Sequence, residues 1–339
     1  MVKITKDMTL GQLREAMPEF ARWFRVDKGA PFEYPDDFVL ADDNGGAEGN
    51  GEYICEAFEF MQKCLEEGYP VIRNIYTDEE IAADPSKGNT SLIFFPGRPG
   101  APFVYGISGG AYMAVCNLSE AFACCYHLSQ LGYNSFAITY RVNEEKIIDR
   151  SLEDLAAGIR YIFAHKDEYK VDTEGYATMG FSAGGHLTAL WCQKNKGARS
   201  FGLPAPIVGM PVYPSFSTMD FYDRIGAGLG SEGYRYIGNL ALEKLVGKNY
   251  TKELLAPYSA ELNLDPEYPA IYAVQDTGDE DVSITGMYRF KEAIDKTDIP
   301  HIIRIDEGGR HGFGLGFGTP SYGWLDEAVE FWEKIRAEK

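Results

Sequence analysis

The chain has 339 residues, of which 45% are hydrophobic and 24% charged, and these proportions are typical of a globular protein with a sizeable core. Its formal net charge of −19 would repel nucleic acid and anionic lipid, so we expect neither a nucleic acid nor a membrane as a partner. Residues 1–20 lack the apolar core of a secretory signal, and no apolar run reaches the roughly 18 residues of a membrane span, which predicts a cytoplasmic protein.

Residues 1–68 predict an N-terminal helical extension. Thr9 and Gln12 have the spacing of a capping box at the start of a helix. The apolar residues that follow at helical intervals are Leu10, Leu13, Met17, Phe20 and Phe24. A second helical pattern, CEAFEFMQKCLEEG, ends at Gly68. We expect these helices to pack against the rest of the chain, and a cap over an active site is the alternative.

Strands and helices alternate over residues 69–339. The predicted strands lie at 71–77, 91–95, 103–108, 134–141, 176–181, 206–213, 270–275 and 301–306. The predicted helices lie at about 118–131, 151–167, 183–194, 284–296 and 324–337. This alternation predicts one α/β domain, with an eight-stranded, mostly parallel sheet and helices on both faces. A longer stretch between the sixth and seventh strands, about 214–266, predicts an insertion.

The cysteines show neither a Cys-x-x-Cys pair nor the spacing of a metal site with histidines. They are Cys55, Cys64, Cys116, Cys124, Cys125 and Cys192. Because Cys124 and Cys125 are adjacent within a predicted helix, we expect free, mostly buried thiols.

Two stretches have the pattern Gly-x-Ser-x-Gly, GISGG at 106–110 and GFSAG at 180–184. Ser182 in the second stretch follows a predicted strand and directly precedes a predicted helix, as the nucleophile elbow of a hydrolase requires. Gly180 and Gly184 remove side chains that would collide in so sharp a turn. We therefore predict Ser182 as a nucleophile, with its helix N-terminus directed at the reaction site.

Ser108 in the first stretch ends a predicted strand and enters a Gly-rich loop instead of a helix. Such a loop supplies backbone N–H groups to the oxyanion hole of hydrolases with this strand order. We expect Gly109 and Gly110 to donate from the loop and Ala183 to donate from the elbow.

A serine nucleophile needs a base, and a base needs a carboxylate that orients it. Of the five histidines, His311 lies in a Gly-rich loop that leaves the last predicted strand, from which an imidazole can reach the serine. The acid is expected after the seventh strand, in QDTGDEDVS. Asp279 is our choice there, with Asp276 and Asp281 as alternatives.

Several stretches of the sequence resemble α/β-hydrolase esterases of the acetyl esterase and acetylxylan or feruloyl esterase-like group. The nucleophile region of that group resembles SLEDLAAGIRYIFAHKDEYKVDTEGYATMGFSAGGHLTALW. Its oxyanion, acid and histidine loops resemble GISGGAYM, PAIYAVQDTGDEDVS and HIIRIDEGGRHGFGLGFG. The match covers roughly residues 90–339, and it departs from the group where SGGAY replaces His-Gly-Gly-Gly. The resemblance implies a serine carboxylesterase with Ser182 as nucleophile, His311 as base and Asp279 as acid, without a metal or organic cofactor.

The substrate is expected to be a small-molecule ester, with a small acyl group on a sugar or a simple alcohol. This expectation comes mostly from the resemblance, since the aromatic residues of the predicted insertion would serve equally well in a pocket or in packing. A prolyl oligopeptidase-like peptidase and a non-catalytic binding protein with the hydrolase fold are the alternatives. The oligomeric state, including a homo-oligomer, stays open.

Overall fold

An eight-stranded sheet forms the core of the protein in the computed structural model, which describes residues 2–20 and 35–339. The strands are β1 (Ile72–Asn74), β2 (Ser91–Phe95), β3 (Pro102–Ile107), β4 (Asn134–Thr139), β5 (Asp172–Phe181), β6 (Val208–Val212), β7 (Ala270–Asp276) and β8 (His301–Asp306). Their order is β1-β2-β4-β3-β5-β6-β7-β8, with β2 antiparallel to both neighbours and the remaining pairs parallel. The predicted mostly parallel sheet of eight strands is therefore confirmed.

The helices of the described residues cover both faces of this sheet. They are α1 (Leu10–Ala16), α2 (Asn50–Glu66), α3 (Asp78–Ala83), α4 (Ala123–Gln130), α5 (Ile148–Ala164), α6 (Lys166–Tyr169), α7 (Ala183–Cys192), α8 (Thr218–Gly226), α9 (Glu232–Val246), α10 (Lys252–Leu255), α11 (Ile284–Ile294) and α12 (Trp324–Ala337). Within the described part of the chain, none of them is both long enough and apolar enough to cross a lipid bilayer.

Alternate residues of the strands enter two different apolar cores, as the two-residue repeat of a strand requires. Ile93 and Phe95 of β2 pack in one core with α2, α4 and α12. Leu92 and Phe94 of the same strand pack in the other core with α5 and α7. Because both faces of the sheet are covered, β2, β3, β6 and β7 are buried at every position.

The described N-terminal helices pack onto one of these two layers. Thr9 caps α1 through the predicted capping box with Gln12, and Leu10 is fully buried. Farther along, the ring of Phe58 in α2 lies 4.4 Å from the ring of Phe122, just before α4. The predicted helical position of Phe24 lies outside the described residues, and the division of the chain at residue 68 stays a prediction.

Strand β5 is four residues longer at its start than the sequence pattern predicts. It begins at Asp172, and the pairing with β3 shifts in register between Pro102 and Val104. Gly175 adopts φ +67°, which is consistent with a bulge at this point. The first four residues of β5 are polar residues and a glycine, so they show none of the apolar pattern from which a strand is predicted.

The six cysteines are free thiols, as predicted. Five of them are buried, and Cys116 is partly buried. Burial raises the pKa of Cys64, Cys125 and Cys192 to about 12, so these thiols stay protonated and unreactive at neutral pH.

A buried ion pair ties the end of β4 to α5. Arg141 is only 3% exposed, and its Nε lies 3.0 Å from both carboxylate oxygens of Asp154. The same carboxylate accepts the Arg141 backbone N–H at 2.7 Å and the Tyr76 hydroxyl at 2.6 Å. Arg141 also pairs with Glu153 at 2.8 Å, but that glutamate side chain is 57% exposed.

We predict that Asp154→Ala lowers the free energy of unfolding by about 3 kcal/mol or more, because it leaves a buried guanidinium without its main partner. Glu153→Ala removes a partner of the same arginine from the surface and is expected to change stability by less than about 1 kcal/mol. Chemical denaturation of both variants tests this difference. Equal losses of stability would contradict it.

Candidate active site

Ser182 occupies a sharp turn between β5 and α7. Its backbone adopts φ +51° and ψ −116°, a conformation that a residue with a side chain rarely takes. A Cβ atom added to Gly180 would lie 2.2 Å from the Gly184 carbonyl oxygen, and one added to Gly184 would lie 2.1 Å from the Ile107 carbonyl oxygen. Both glycines are therefore required for the turn to form, for the steric reason that the sequence pattern suggests.

His311 and Asp279 approach this serine in a continuous chain of hydrogen bonds. The Nε2 atom of His311 lies 3.0 Å from Ser182 Oγ, and its Nδ1 atom lies 2.8 Å from Asp279 Oδ2. Ser182 is partly exposed, whereas the side chain of Asp279 is fully buried. The structure thus brings together the three side chains that the sequence predicts for nucleophile, base and acid.

Asp279 is held in place by its own loop. Its Oδ1 atom accepts the backbone N–H groups of Asp281 at 3.0 Å and Val282 at 2.7 Å. The Gln275 side chain donates to Oδ2 at 3.0 Å, beside the histidine. With both oxygens occupied, the carboxylate has one orientation, and it holds Nδ1–H of the imidazole toward itself.

The two alternative aspartates do not contact His311. The carboxylate of Asp276 accepts the Ser321 hydroxyl at 2.6 Å and the Arg310 backbone N–H at 3.2 Å. Its role is to fasten the loop that carries the histidine to the end of β7. Asp281 is exposed at the cavity wall.

The surroundings of His311 favour its protonated form. Burial acts to lower the pKa of His311, but the charge of Asp279 and the hydrogen bond to it outweigh burial, so the pKa is raised above its ordinary value. The ring of Tyr213 packs edge-on against the imidazole with centroids 4.7 Å apart. This arrangement stabilises the imidazolium that forms when the histidine accepts a proton.

His186, one turn along α7 from Ser182, serves a different purpose. Its Nδ1 atom lies 2.5 Å from the Tyr112 hydroxyl, and its Nε2 lies close to the Tyr258 carbonyl oxygen, at 2.5 Å. Burial lowers the pKa of His186 to about 4, so the ring is neutral at physiological pH. The neutral ring ties the Gly-rich loop after β3 to α7 and to the segment after α10.

Ser108, the serine of the first Gly-x-Ser-x-Gly stretch, is completely buried. Its hydroxyl donates to Asn117 Oδ1 at 2.7 Å and accepts the Ala121 backbone N–H at 3.2 Å. These bonds fasten the loop to a π-helical turn over Leu118–Phe122. None of the described residues is placed to deprotonate Ser108, and its hydroxyl serves to hold the loop in place.

In the Gly-rich loop after β3, the structure contradicts one of the predicted oxyanion donors. The backbone N–H of Gly109 donates to Glu120 Oε2 at 2.5 Å, so this group is not free to face a substrate. Gly110 and Ala111 follow with φ +125° and +52° and line the cavity at Ser182. Among the described residues, the N–H groups of Gly110 and Ala111 have no hydrogen-bond partner.

Ala111 is thus a candidate donor that the sequence argument does not single out. The signal for it lies in the departure from His-Gly-Gly-Gly, since Ala111 stands where that pattern has its third glycine. On the other side of the site, the N–H of Ala183 belongs to the first residue of α7 and therefore lacks an intrahelical acceptor. Gly110, Ala111 and Ala183 together are the available backbone donors.

A cavity of about 540 Å³ opens onto the serine. Its apolar wall comes mainly from α8 and α9, through Phe221, Ile237, Leu242 and Leu245. Phe38 of the N-terminal segment lines it as well. The segment between β6 and β7 and the N-terminal segment therefore both shape the space beside Ser182.

Comparisons with known proteins agree with this geometry. The BD-FAE family model matches residues 94–204, which include the Gly-rich loop and the elbow. Endo-1,4-beta-xylanase B of Butyrivibrio fibrisolvens is 25% identical over 68% of this chain, and acetylxylan esterase of Xylanibacter ruminicola is 24% identical over 66%. This chain spans only 35% and 44% of those two proteins, respectively.

A solved structure, the acetyl ester-xyloside bifunctional hydrolase of Caldicellulosiruptor lactoaceticus, superposes with a TM-score of 0.65. The match covers 79% of this chain and 97% of the other, at 22% sequence identity. At that identity the likeness establishes the fold. The chain therefore has the α/β-hydrolase fold and is similar to esterases of the acetyl and feruloyl esterase type, which confirms the resemblance predicted from its motifs.

Proposed function

We propose that this chain is a serine carboxylesterase that hydrolyses small acyl esters, including esters on carbohydrates. The observation that carries this proposal is the hydrogen-bonded chain from Ser182 through His311 to Asp279, with distances of 3.0 Å and 2.8 Å. A serine hydroxyl is a weak nucleophile until a base takes its proton, and here the base is in place and oriented. The non-catalytic alternative requires a damaged triad, and these distances argue against it.

The proposed reaction has two halves. In the first, His311 Nε2 accepts the proton of Ser182 while Oγ attacks the ester carbonyl carbon, and the backbone N–H groups of Gly110, Ala111 and Ala183 stabilise the oxyanion. The imidazolium then gives its proton to the departing alcohol, which leaves an acyl group on Ser182. In the second half, His311 deprotonates a water molecule that attacks the acyl-enzyme carbonyl, and the imidazolium then returns the proton to Ser182 Oγ as the acid is released.

The cavity supports a substrate of modest size. Its volume of about 540 Å³ is in the range of small-molecule sites, and its apolar wall suits an uncharged acyl or alcohol group. Two of the similar proteins carry the names xylanase and acetylxylan esterase, which supports an acyl group on a sugar as one substrate class.

We predict that Ser182→Ala abolishes hydrolysis of p-nitrophenyl acetate, whereas Ser108→Ala retains it. The two serines share a sequence pattern, but only Ser182 lies within hydrogen-bond distance of His311. Removal of the nucleophile is expected to lower kcat by a factor on the order of 10⁶. Initial rates for the two purified variants test this, with thermal unfolding as the check on folding. A Ser182→Ala enzyme that keeps activity would contradict the proposal.

We also predict that Asp279→Asn lowers kcat by roughly 10⁴-fold and moves the acid limb of kcat/KM to lower pH. Activity requires neutral His311, so it is lost as the pH falls through the pKa of this residue. Asp279 raises that pKa, and its neutralisation therefore lowers it. The matched control is Glu280→Gln, an exposed residue on the same loop, which should leave the limb in place. An unmoved limb in Asp279→Asn would contradict the assigned acid.

A further inference from the structure

Glu120 is a buried carboxyl group beside the candidate active site. It is 5% exposed, lines the cavity and lies in the π-helical turn over Leu118–Phe122. Such turns are rare and occur frequently at functional sites. A buried carboxylate is unfavourable unless hydrogen-bond donors compensate for its lost hydration, so the partners of Glu120 indicate what it does.

The first partner is the loop that carries the oxyanion donors. Glu120 Oε2 accepts the backbone N–H of Gly109 at 2.5 Å. Gly109 also packs tightly against Ser182, since a Cβ atom added to it would lie 2.7 Å from Ser182 Cβ. The bond therefore fixes the loop at the point that sets the position of the next two N–H groups, those of Gly110 and Ala111.

The second partner of Glu120 is Tyr213, which contacts the loop that carries His311. Glu120 Oε1 accepts the hydroxyl of Tyr213 at 3.2 Å, and the same hydroxyl accepts the backbone N–H of Gly314 at 3.3 Å. The ring of Tyr213 packs edge-on against His311. One carboxylate is thus connected to both loops that flank Ser182.

These contacts suit the ionised form of Glu120. Gly109 and Tyr213 each present a donor, and a carboxylate accepts both. If Glu120 were protonated, its own O–H group would face one of these two donors. That buried hydrogen bond would then be lost, or its direction would be reversed. The negative charge also attracts the imidazolium of His311 as it forms.

We propose that Glu120 is a positioning residue whose carboxylate holds the oxyanion loop and the histidine loop in their active arrangement around Ser182. This inference rests on the proposed esterase function. It makes ester hydrolysis depend on the deprotonation of two groups, Glu120 and His311, where the triad alone requires one.

The pH range of this effect depends on the pKa of Glu120. That pKa is influenced by the titratable groups that face Glu120 from the elements packed around it. They are Asp43 in the N-terminal segment, Cys116 in the oxyanion loop, Cys124 in α4, Tyr140 after β4, Tyr213 after β6 and His311 after β8. Burial raises the pKa of Glu120 to about 7, against the Gly109 bond and the charge of His311, which lower it. The pKa values of Glu120 and His311 are thus both raised above their ordinary values, so both groups gain protons on the acid side of the pH profile.

The test is the pH dependence of kcat/KM for p-nitrophenyl acetate between about pH 5 and 8 in the wild type and in Glu120→Gln. Two required deprotonations give a plot of log(kcat/KM) against pH whose slope approaches about 2 on the acid side, and one gives a slope of about 1. We expect the steeper slope in the wild type and the shallower one in Glu120→Gln. At pH 8 the variant is expected to have a roughly 100-fold lower kcat with KM changed less than about twofold, because loop geometry rather than substrate binding is altered.

Glu261→Gln is the matched control. Burial raises the pKa of Glu261 as well, and its carboxylate accepts the hydroxyls of Ser217 and Ser259, but it does not contact either loop that flanks Ser182. This variant should keep the slope and kcat of the wild type.

Three results would overturn the inference. A wild-type slope of about 1 would show that a single deprotonation suffices, and this measurement does not depend on any variant folding. A folded Glu120→Gln enzyme with the wild-type slope and kcat would show that the carboxylate positions nothing. A wild type without activity on any ester would overturn the proposed function together with the inference, and so it is distinguishable from the other two results.

Discussion

The close approach of three backbone segments at the end of β5 is the constraint on which the site depends. Hydrogen atoms alone fit between Gly180 and Gly184, between Gly184 and the end of β3, and between Gly109 and Ser182. Any larger side chain at these positions would separate the segments. This packing forces Ser182 into its strained conformation, and it brings the N–H groups after β3 to the same place as the start of α7.

The parallel sheet supplies the other two members of the proposed triad. Because β5, β7 and β8 run in the same direction, the loops that follow them emerge at one edge, as in other open α/β sheets. Ser182 and His311 are separated by 129 positions in the sequence, and the sheet brings their side chains within hydrogen-bond distance. The segment between β6 and β7 and the N-terminal segment add the apolar wall of the cavity beside Ser182.

The parts of this arrangement that local patterns determine are predictable from the sequence. The elbow requires glycines at fixed spacing between a strand and a helix. Both this spacing and the flanking strand and helix patterns can be identified in residues 176–194. His311 follows from the strand order, because few loops open at the correct edge of the sheet. The bounds of β2, β8 and α12 also agree with the predictions.

Other features depend on contacts between distant residues that no local pattern records. The choice of Asp279 over Asp276 depends on which backbone N–H groups each carboxylate meets after the chain turns. Likewise, Gly109 is excluded as a donor because Glu120 lies eleven positions later in a π-helical turn, which a helical period of 3.6 residues does not reveal.

If Ser182 is an activated nucleophile, as proposed, a fluorophosphonate should modify it covalently. Wild type and Ser108→Ala protein would be treated with the reagent, digested and analysed by peptide mass spectrometry. One adduct is expected, on the peptide that contains Ser182, in both proteins. An adduct on Ser108, or no adduct in a folded wild-type sample, would contradict it.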